Sequence, residues 1–282
     1  MKVKKIYGVI GDPIAHSMSP AIHNDAFDQE QMDAVYHHFH VTPECLQDAV
    51  KGMKAIGVSG FNVTIPHKTA IIPLLDEVDE LAQAIGAVNT VVYRDGRYIG
   101  YNTDGKGFYK ALAEEVSGDL ASKKTLIIGA GGAARAIYFT LVKEGVKQVD
   151  IANRTKERAE TLISECPYEK QSTALTMLEA EANIMAYDLI IQTTSIGMSP
   201  KVDDTPLDVT AIKASAVVSD IIYNPLKTKI LMEAEQNGAK TQNGLGMFVN
   251  QAALAFQIWT GVMPDTSRME QIVLNKLGGQ TC

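Results

Sequence analysis

Thr125-Leu126-Ile127-Ile128-Gly129-Ala130-Gly131-Gly132-Ala133-Ala134 is the stretch on which the fold turns. Its first four residues are a continuous apolar run, as expected of a parallel strand buried on both faces, and Ala133 to Glu144 follow as an alanine-rich helix closed by Gly145. The pattern Gly129-x-Gly131-x-x-Ala134 joins the two. Glycines there allow a tight turn and a close backbone approach, while the helix N-terminus presents free N–H groups to a pyrophosphate. Gly129, Ala130, Gly131, Gly132 and Ala133 are therefore candidate cofactor-binding residues; the plain alternative is a tight strand-to-helix turn that binds nothing. Downstream, Gln148 to Ala152, Asp188 to Gln192 and Ala216 to Asp220 repeat the buried-strand signal with helical stretches between, which predicts a Rossmann-like doubly wound sheet.

The end of the next strand decides which dinucleotide such a sheet would hold. An NAD site usually ends this strand in Asp or Glu for the ribose 2′-hydroxyl, whereas here stand Asn153-Arg154-Thr155-Lys156, with Arg158 beyond. Arg154 can bond a 2′-phosphate, helped by Asn153, Thr155, Lys156 and Arg158, so NADP(H) is the expected cofactor. Asp150 is a competing acid, but it lies three residues before the strand end and should point elsewhere. The other reading of the basic cluster is a solvated helix start, although cations there oppose the helix dipole and so favour a bound anion.

Working outward, the first hundred residues alternate differently. Tyr7 to Ile10, Val35 to Val41 and Gly60 to Thr64 read as strands, Pro20 opens a helix, and Glu44 to Ile56 has helical periodicity. Val88 to Tyr93 and Tyr98 to Tyr101 flank Asp95-Gly96, a hairpin dipeptide that tolerates positive φ at both positions. This half predicts a mixed sheet. Two final helix-like segments, Met247 to Thr260 and Ser267 to Leu277, are best used by packing back onto it. The expected class is α/β with two domains, a mixed-sheet substrate-binding and catalytic domain at 1–104 plus 247–282 and a dinucleotide-binding domain at 105–246.

Composition sets limits on the function. The 282 residues are 46% hydrophobic and 21% charged, with a net charge of −7, which argues against a nucleic-acid surface because phosphate binding needs clustered Lys and Arg. Met1 to Ile10 is too short an apolar start for a signal segment before Gly11-Asp12-Pro13 interrupts it. No later run approaches the roughly 18 apolar residues of a membrane span. Cys45, Cys166 and Cys282 are odd in number and widely spaced, so a disulfide framework or zinc knuckle is not indicated and a reducing cytoplasm fits.

Chemistry-bearing residues collect upstream. Asn62-Val63-Thr64-Ile65-Pro66-His67-Lys68 ends in a lysine between a strand and a helix, and Asn102-Thr103-Asp104-Gly105 supplies an aspartate where the chain passes to the second domain. Alone, either is an ordinary solvated side chain. Together they could give a proton to a carbonyl oxygen as hydride reaches the carbon. The carboxylate stabilises the ammonium, so burial or substrate must offset that if Lys68 is to act as a base near neutral pH. Ser17 and Ser19, in His16-Ser17-Met18-Ser19-Pro20, could bind a carboxylate, or Ser19 could cap the helix that Pro20 opens. Asn62, Thr64, Asn89 and Gln251 add neutral donors and acceptors suited to a polyhydroxylated ring. His38 and His40 alternate on a strand and could share a metal, but with no third ligand evident they read as surface or core-edge histidines, and no metal is expected.

These motifs, with Gly86-Ala87-Val88-Asn89-Thr90 and Asn243-Gly244-Leu245-Gly246-Met247-x-x-x-Gln251, occur in an order and over a length that resemble the shikimate dehydrogenase family. The resemblance implies NADPH-dependent reduction of 3-dehydroshikimate to shikimate in the pathway to aromatic amino acids. It makes Lys68 and Asp104 the catalytic pair, sets Ser17, Ser19, Asn62, Thr64, Asn89 and Gln251 around the substrate, and puts Tyr223, Gly244 and Met247 near the nicotinamide, with Tyr223 also against the substrate. The partners it implies are small molecules only, with neither nucleic acid nor membrane, for a monomer or homodimer. The alternatives are a quinate/shikimate dehydrogenase that also accepts NAD, a catalytically silent ligand-binding homologue, and another two-domain dehydrogenase such as a folate enzyme, for which no pterin pocket is visible.

Overall fold

The computed structural model describes residues 4–116 and 118–278. Contacts divide the chain into two compact units, Met1–Thr103 with Val249–Cys282, and Asp104–Phe248.

In the first unit, β1 (Lys5–Gly11), α1 (Ser19–Gln29), β2 (Ala34–His40), α2 (Leu46–Ala55) and β3 (Gly60–Val63) are followed by β4 (Glu77–Val78), α3 (Glu80–Ile85), β5 (Thr90–Arg94) and β6 (Arg97–Tyr101). The sheet runs β2-β1-β3-β5-β6-β4. β1 pairs parallel with β2 and β3, whereas β5 is antiparallel to both β3 and β6, so the expected mixed sheet is observed. The β5–β6 hairpin turns on Asp95 at φ 51° and Gly96 at φ 78°, as the dipeptide requires. Asp79 accepts from the Leu81 and Ala82 N–H groups to start α3, and Gly86 ends it in the left-handed region, which delivers the chain to Asn89.

The second unit contains α4 (Asp104–Glu115), β7 (Thr125–Ile128), α5 (Gly132–Lys143), β8 (Val149–Ala152), α6 (Lys156–Glu165), β9 (Ala174–Leu175), α7 (Met177–Ala182), β10 (Leu189–Gln192), β11 (Val217–Asp220), α8 (Lys229–Gln236) and β12 (Lys240–Gln242). Its sheet order is β12-β11-β10-β7-β8-β9, with every pairing parallel. The order reverses between β7 and β10, the switch point at which doubly wound sheets bind ligands. The apolar runs read from the sequence are the four central strands β7, β8, β10 and β11.

The last two helices are α9 (Leu245–Thr260) and α10 (Thr266–Gly278). In the first unit, the Trp259 indole N–H donates to the Val91 carbonyl at 2.9 Å, and a Cβ on Gly60 would lie 2.5 Å from that indole nitrogen. Gly60 is thus what lets α9 lie close on this sheet. Arg268 of α10 grips Asp25 of α1 at 2.6 and 2.7 Å. A buried aromatic group of Tyr7, His23, Phe27, Tyr36, Phe256 and Trp259 packs beneath.

Two expectations need correction. Ser19 is not a cap: it lies inside α1, while the residue before the helix, Met18, offers no side-chain bond. It is Ser17 whose Oγ accepts the Ser19 N–H, at 3.3 Å. The short strands β4, β9 and β12 went unread because two or three edge residues carry no alternation to detect.

Candidate active site

In the first unit the candidate substrate residues are joined by one chain of hydrogen bonds. Ser17 Oγ donates to Ser19 Oγ at 3.1 Å, and Ser19 bonds the phenol of Tyr36. The Tyr36 hydroxyl donates to Asn62 Oδ1 at 2.7 Å. Asn62 Nδ2 donates to the Asn89 carbonyl and to Thr90 Oγ1, each at 3.1 Å. Asn89 Oδ1 takes the Thr103 N–H at 2.8 Å and the Thr90 hydroxyl at 2.9 Å, and Asn89 Nδ2 donates to Thr103 Oγ1 at 2.9 Å. Apart from half-buried Ser17 these side chains are buried, so each amide orientation is dictated by its partners and not by water. Burial pushes the Tyr36 phenol well above the ordinary tyrosine range, so it works as a neutral hydroxyl.

Lys68 is held by its backbone neighbours. Thr64 N–H donates to the Ile10 carbonyl at 3.0 Å, His67 N–H to the Thr64 carbonyl at 2.9 Å, and Val88 N–H to the Lys68 carbonyl at 2.8 Å. His67, 1% exposed, sends its Nε2–H to the Val41 carbonyl at 2.6 Å. This leaves the half-buried Lys68 side chain on a segment stitched to three neighbours. Nothing in the sequence set His67 apart, nor Tyr36, Thr90 and Thr103 as the groups that orient the two asparagines. The alternating histidines also have tasks. His38 donates from Nε2 to the Ser17 carbonyl at 2.9 Å, and His40 meets Asp12 at 2.7 Å, so both brace the loop that carries Ser17.

In the second unit, Asp104 begins α4, where its charge complements the helix dipole. A Cβ on Gly105 would fall 2.1 Å from Thr140 Oγ1, so the glycine of Asn102-Thr103-Asp104-Gly105 is what seats α4 against α5. Lys68 and Asp104 therefore belong to different units. Thr64 and Gln251 are half-buried in the first unit, Met247 in the second.

The glycine turn divides its roles clearly. Gly129 has φ 109°, and a Cβ there would meet Thr193 Oγ1 at 2.7 Å. Gly131 and Gly132 are exposed and would bring a Cβ within 4 Å of nothing, so protein packing does not explain them. A ligand lying on the start of α5 does, since a Cβ would fill the approach to the N–H groups that any helix leaves unpaired in its first turn. A cleft of about 390 Å³ opens here, lined by Ala130, Gly131, Gly132, Arg135 and Arg158 among others. Arg135 is braced by Glu165 and by the Phe139 ring 4.5 Å away.

At the end of β8, Arg154, Thr155 and Arg158 are exposed, and Asn153 Nδ2 closes the turn onto the Thr155 carbonyl at 2.8 Å. Lys156 differs: its ammonium pairs with Glu179 at 3.1 Å. Asp150 accepts from Thr173 N–H at 2.8 Å and from the Tyr187 hydroxyl at 2.9 Å, which turns it away from a ribose as its position suggested. These groups fit a dinucleotide with a 2′-phosphate. Beyond β11, Tyr223 packs on Phe248 with ring centroids 5.0 Å apart, and Gly244 N–H donates to the Ile222 carbonyl at 2.9 Å.

A doubly wound sheet with an open glycine turn, in one chain with a mixed-sheet unit that carries Lys68 and a set of ordered hydroxyls and amides, defines a nicotinamide-dinucleotide oxidoreductase acting on a small polar molecule. Three family models match in sequence order, the shikimate dehydrogenase substrate binding domain over residues 9–91, shikimate/quinate 5-dehydrogenase over 111–213, and the shikimate 5′-dehydrogenase C-terminal domain over 244–274. The chain is 57% identical to the NADP(+) shikimate dehydrogenase of Bacillus cereus (strain AH187), over 98% of this chain and 100% of the relative. Among solved structures, a shikimate dehydrogenase in complex with NADP+ superposes with a TM-score of 0.90 at 44% identity, covering 97% of this chain and 96% of that one. The enzyme of Thermus thermophilus, in complex with NADP(H) and shikimate, gives 0.86 at 35% identity, with 96% and 99% covered. The chain belongs to the shikimate dehydrogenase family.

Proposed function

We propose that this protein catalyses the reversible, NADPH-dependent reduction of 3-dehydroshikimate to shikimate. The observation that carries the reading is the buried hydrogen-bond chain from Ser17 to Thr103, which orders hydroxyls and amides on the same unit as Lys68. A polyhydroxylated carboxylate needs such a set, because every ring hydroxyl must find a partner when it leaves water.

NADP(H), when bound, supplies or takes up the hydride. Lys68 protonates the carbonyl oxygen during reduction and receives that proton in the reverse direction, and Asp104 is the second member of the catalytic pair. Ser17 and Ser19 hold the substrate carboxylate, and Asn62, Thr64, Asn89, Tyr223 and Gln251 contact its ring. Gly129 to Ala133 cradle the pyrophosphate of the cofactor, and Arg154, with Asn153, Thr155 and Arg158, takes its 2′-phosphate. Lys156 contributes less, being engaged by Glu179. Tyr223, Gly244 and Met247 face the nicotinamide. The protein acts in the cytoplasm as a monomer or homodimer; no helix among the described residues is long and apolar enough to cross a membrane.

The test is a spectrophotometric assay of NADPH formation from shikimate, run beside quinate and beside NAD. The expected order has shikimate with NADP+ fastest. Absence of turnover with shikimate and either cofactor would refute the assignment.

A further inference from the structure

Asp220 ends β11 with its side chain 0% exposed. Each oxygen takes one neutral donor, Oδ1 the Ile222 N–H at 2.9 Å and Oδ2 the Thr228 hydroxyl at 2.6 Å. Among the described residues no cation pairs with it. Lys227 is taken by Glu235 at 2.6 Å, and Lys229 by the Asp203 carbonyl at 3.0 Å and by Glu233. On the neighbouring strand β10 the residue in register with Asp220 is the neutral Gln192. Burial pushes the carboxyl up to about 6, so near neutral pH the molecule keeps a buried, uncompensated negative charge.

The fold does not need that charge. An amide would accept from Ile222 N–H through its oxygen and donate to Thr228 Oγ1 through its nitrogen, keeping both contacts without desolvating an ion. The position of Asp220 suggests a use for it. The glycine turn and Arg154 lie at the ends of β7 and β8, which assigns the adenosine half of a dinucleotide to that side of the switch point and the nicotinamide half to the side of β10 and β11. The segment that Asp220 closes carries Tyr223, and its backbone abuts Gly244, where a Cβ would fall 1.9 Å from the Ile221 carbonyl oxygen.

We propose that Asp220 is a fixed buried anion that favours the positively charged oxidised nicotinamide over the neutral reduced ring, and so sets the ratio of the affinities for NADP+ and NADPH. The inference rests on the reading of the second unit as the dinucleotide-binding half. The two cofactors differ by one charge on the ring, so only a charge can separate them in this way. The 2′-phosphate also titrates near neutrality, but it is common to both and cancels in the ratio.

The test is calorimetric titration of the intact protein with NADP+ and with NADPH from pH 5 to 8. In wild type the Kd ratio should shift towards NADP+ as pH rises through about 6, by roughly tenfold for about 1.4 kcal/mol of attraction between the carboxylate and the charged ring. NADP+ binding near pH 6 should release more protons than NADPH binding. Asp220→Asn should give a flat ratio and no difference in proton release. Thr228→Val, which removes one bond to the carboxylate, should move the midpoint to higher pH. A wild-type ratio independent of pH, a pH dependence retained in Asp220→Asn, or an unmoved midpoint in Thr228→Val would each overturn the proposal. Failure to bind either nucleotide would instead overturn the dinucleotide reading, and this inference with it.

Discussion

The two units solve recognition in opposite ways. The first fixes neutral side chains against one another in a buried chain running from Ser17 through Tyr36 and Asn62 to Thr103. The second offers open backbone at Gly131 and Gly132 and exposed cations at Arg154 and Arg158. A small ring must be matched atom by atom, whereas a dinucleotide can be held by helix geometry and charge. Changes in the first unit should therefore propagate, and changes in the second should stay local.

The largest contrast concerns acid. His23, 0% exposed, lies between Tyr36 and Trp259, and neither ring nitrogen has a hydrogen-bond partner among the described residues. Burial pushes it down to about 3 from an ordinary value of 6.5. A depressed histidine gives stability that is present above pH 6.5 and lost as pH falls towards 3, by up to about 5 kcal/mol. Asp220, raised from 3.8 to about 6, has the opposite sign: stability present below pH 4 is lost as pH rises through 6, by about 3 kcal/mol. Thermal midpoints from pH 3.5 to 7 should show His23→Phe flattening the acid loss and Asp220→Asn gaining stability at neutral pH. If His23→Phe gains its stability at neutral pH, or Asp220→Asn gains its stability at acid pH, the contrast between the units is wrong.

Next in size is Lys68→Ala, which should lower kcat by roughly 10²–10⁴ with KM for shikimate changed little, because it removes proton transfer and not anchoring. An unchanged kcat would reject Lys68 as the proton carrier. Ser17→Ala should raise KM by roughly ten- to a hundredfold, from loss of a bond to a charged group of about 1.5–3 kcal/mol. Tyr36→Phe cuts the same chain one link further in, so the double variant should cost less than the two single effects combined. Strict additivity would mean that the chain is not one recognition unit.

The smallest effect should be the most selective. Arg154→Ala should weaken NADP+ by about 1.5 kcal/mol, the lower end for a charge-assisted bond because Arg158 remains, and leave NAD almost unchanged. Adding Lys156→Ala should add little, since Glu179 already holds that ammonium. Steady-state kcat/KM with both cofactors at one ionic strength measures this, and equal losses for NADP+ and NAD would make Arg154 structural.

Where the residue pattern repeats locally, the amino-acid order is enough to read it. The apolar run at Thr125–Ile128, the glycine turn after it and the Asp95-Gly96 hairpin each depend on neighbours in the chain, because dihedral preference and side-chain period act over a few residues. The basic strand end at Arg154 is legible for the same reason, and the failure of Asp150 to point at a ribose follows from its place on the strand.

What the amino-acid order determined by itself was thus the α/β class, the central strands and the types of group available for chemistry. The tertiary structure alone decided how those groups are wired. Tyr36 meets Asn62 across 26 positions, Asp150 meets Tyr187 across 37, and Trp259 meets Val91 across 168. No period in the sequence encodes such pairs, since a hydrogen bond between distant residues exists only once burial has removed water as the competing partner.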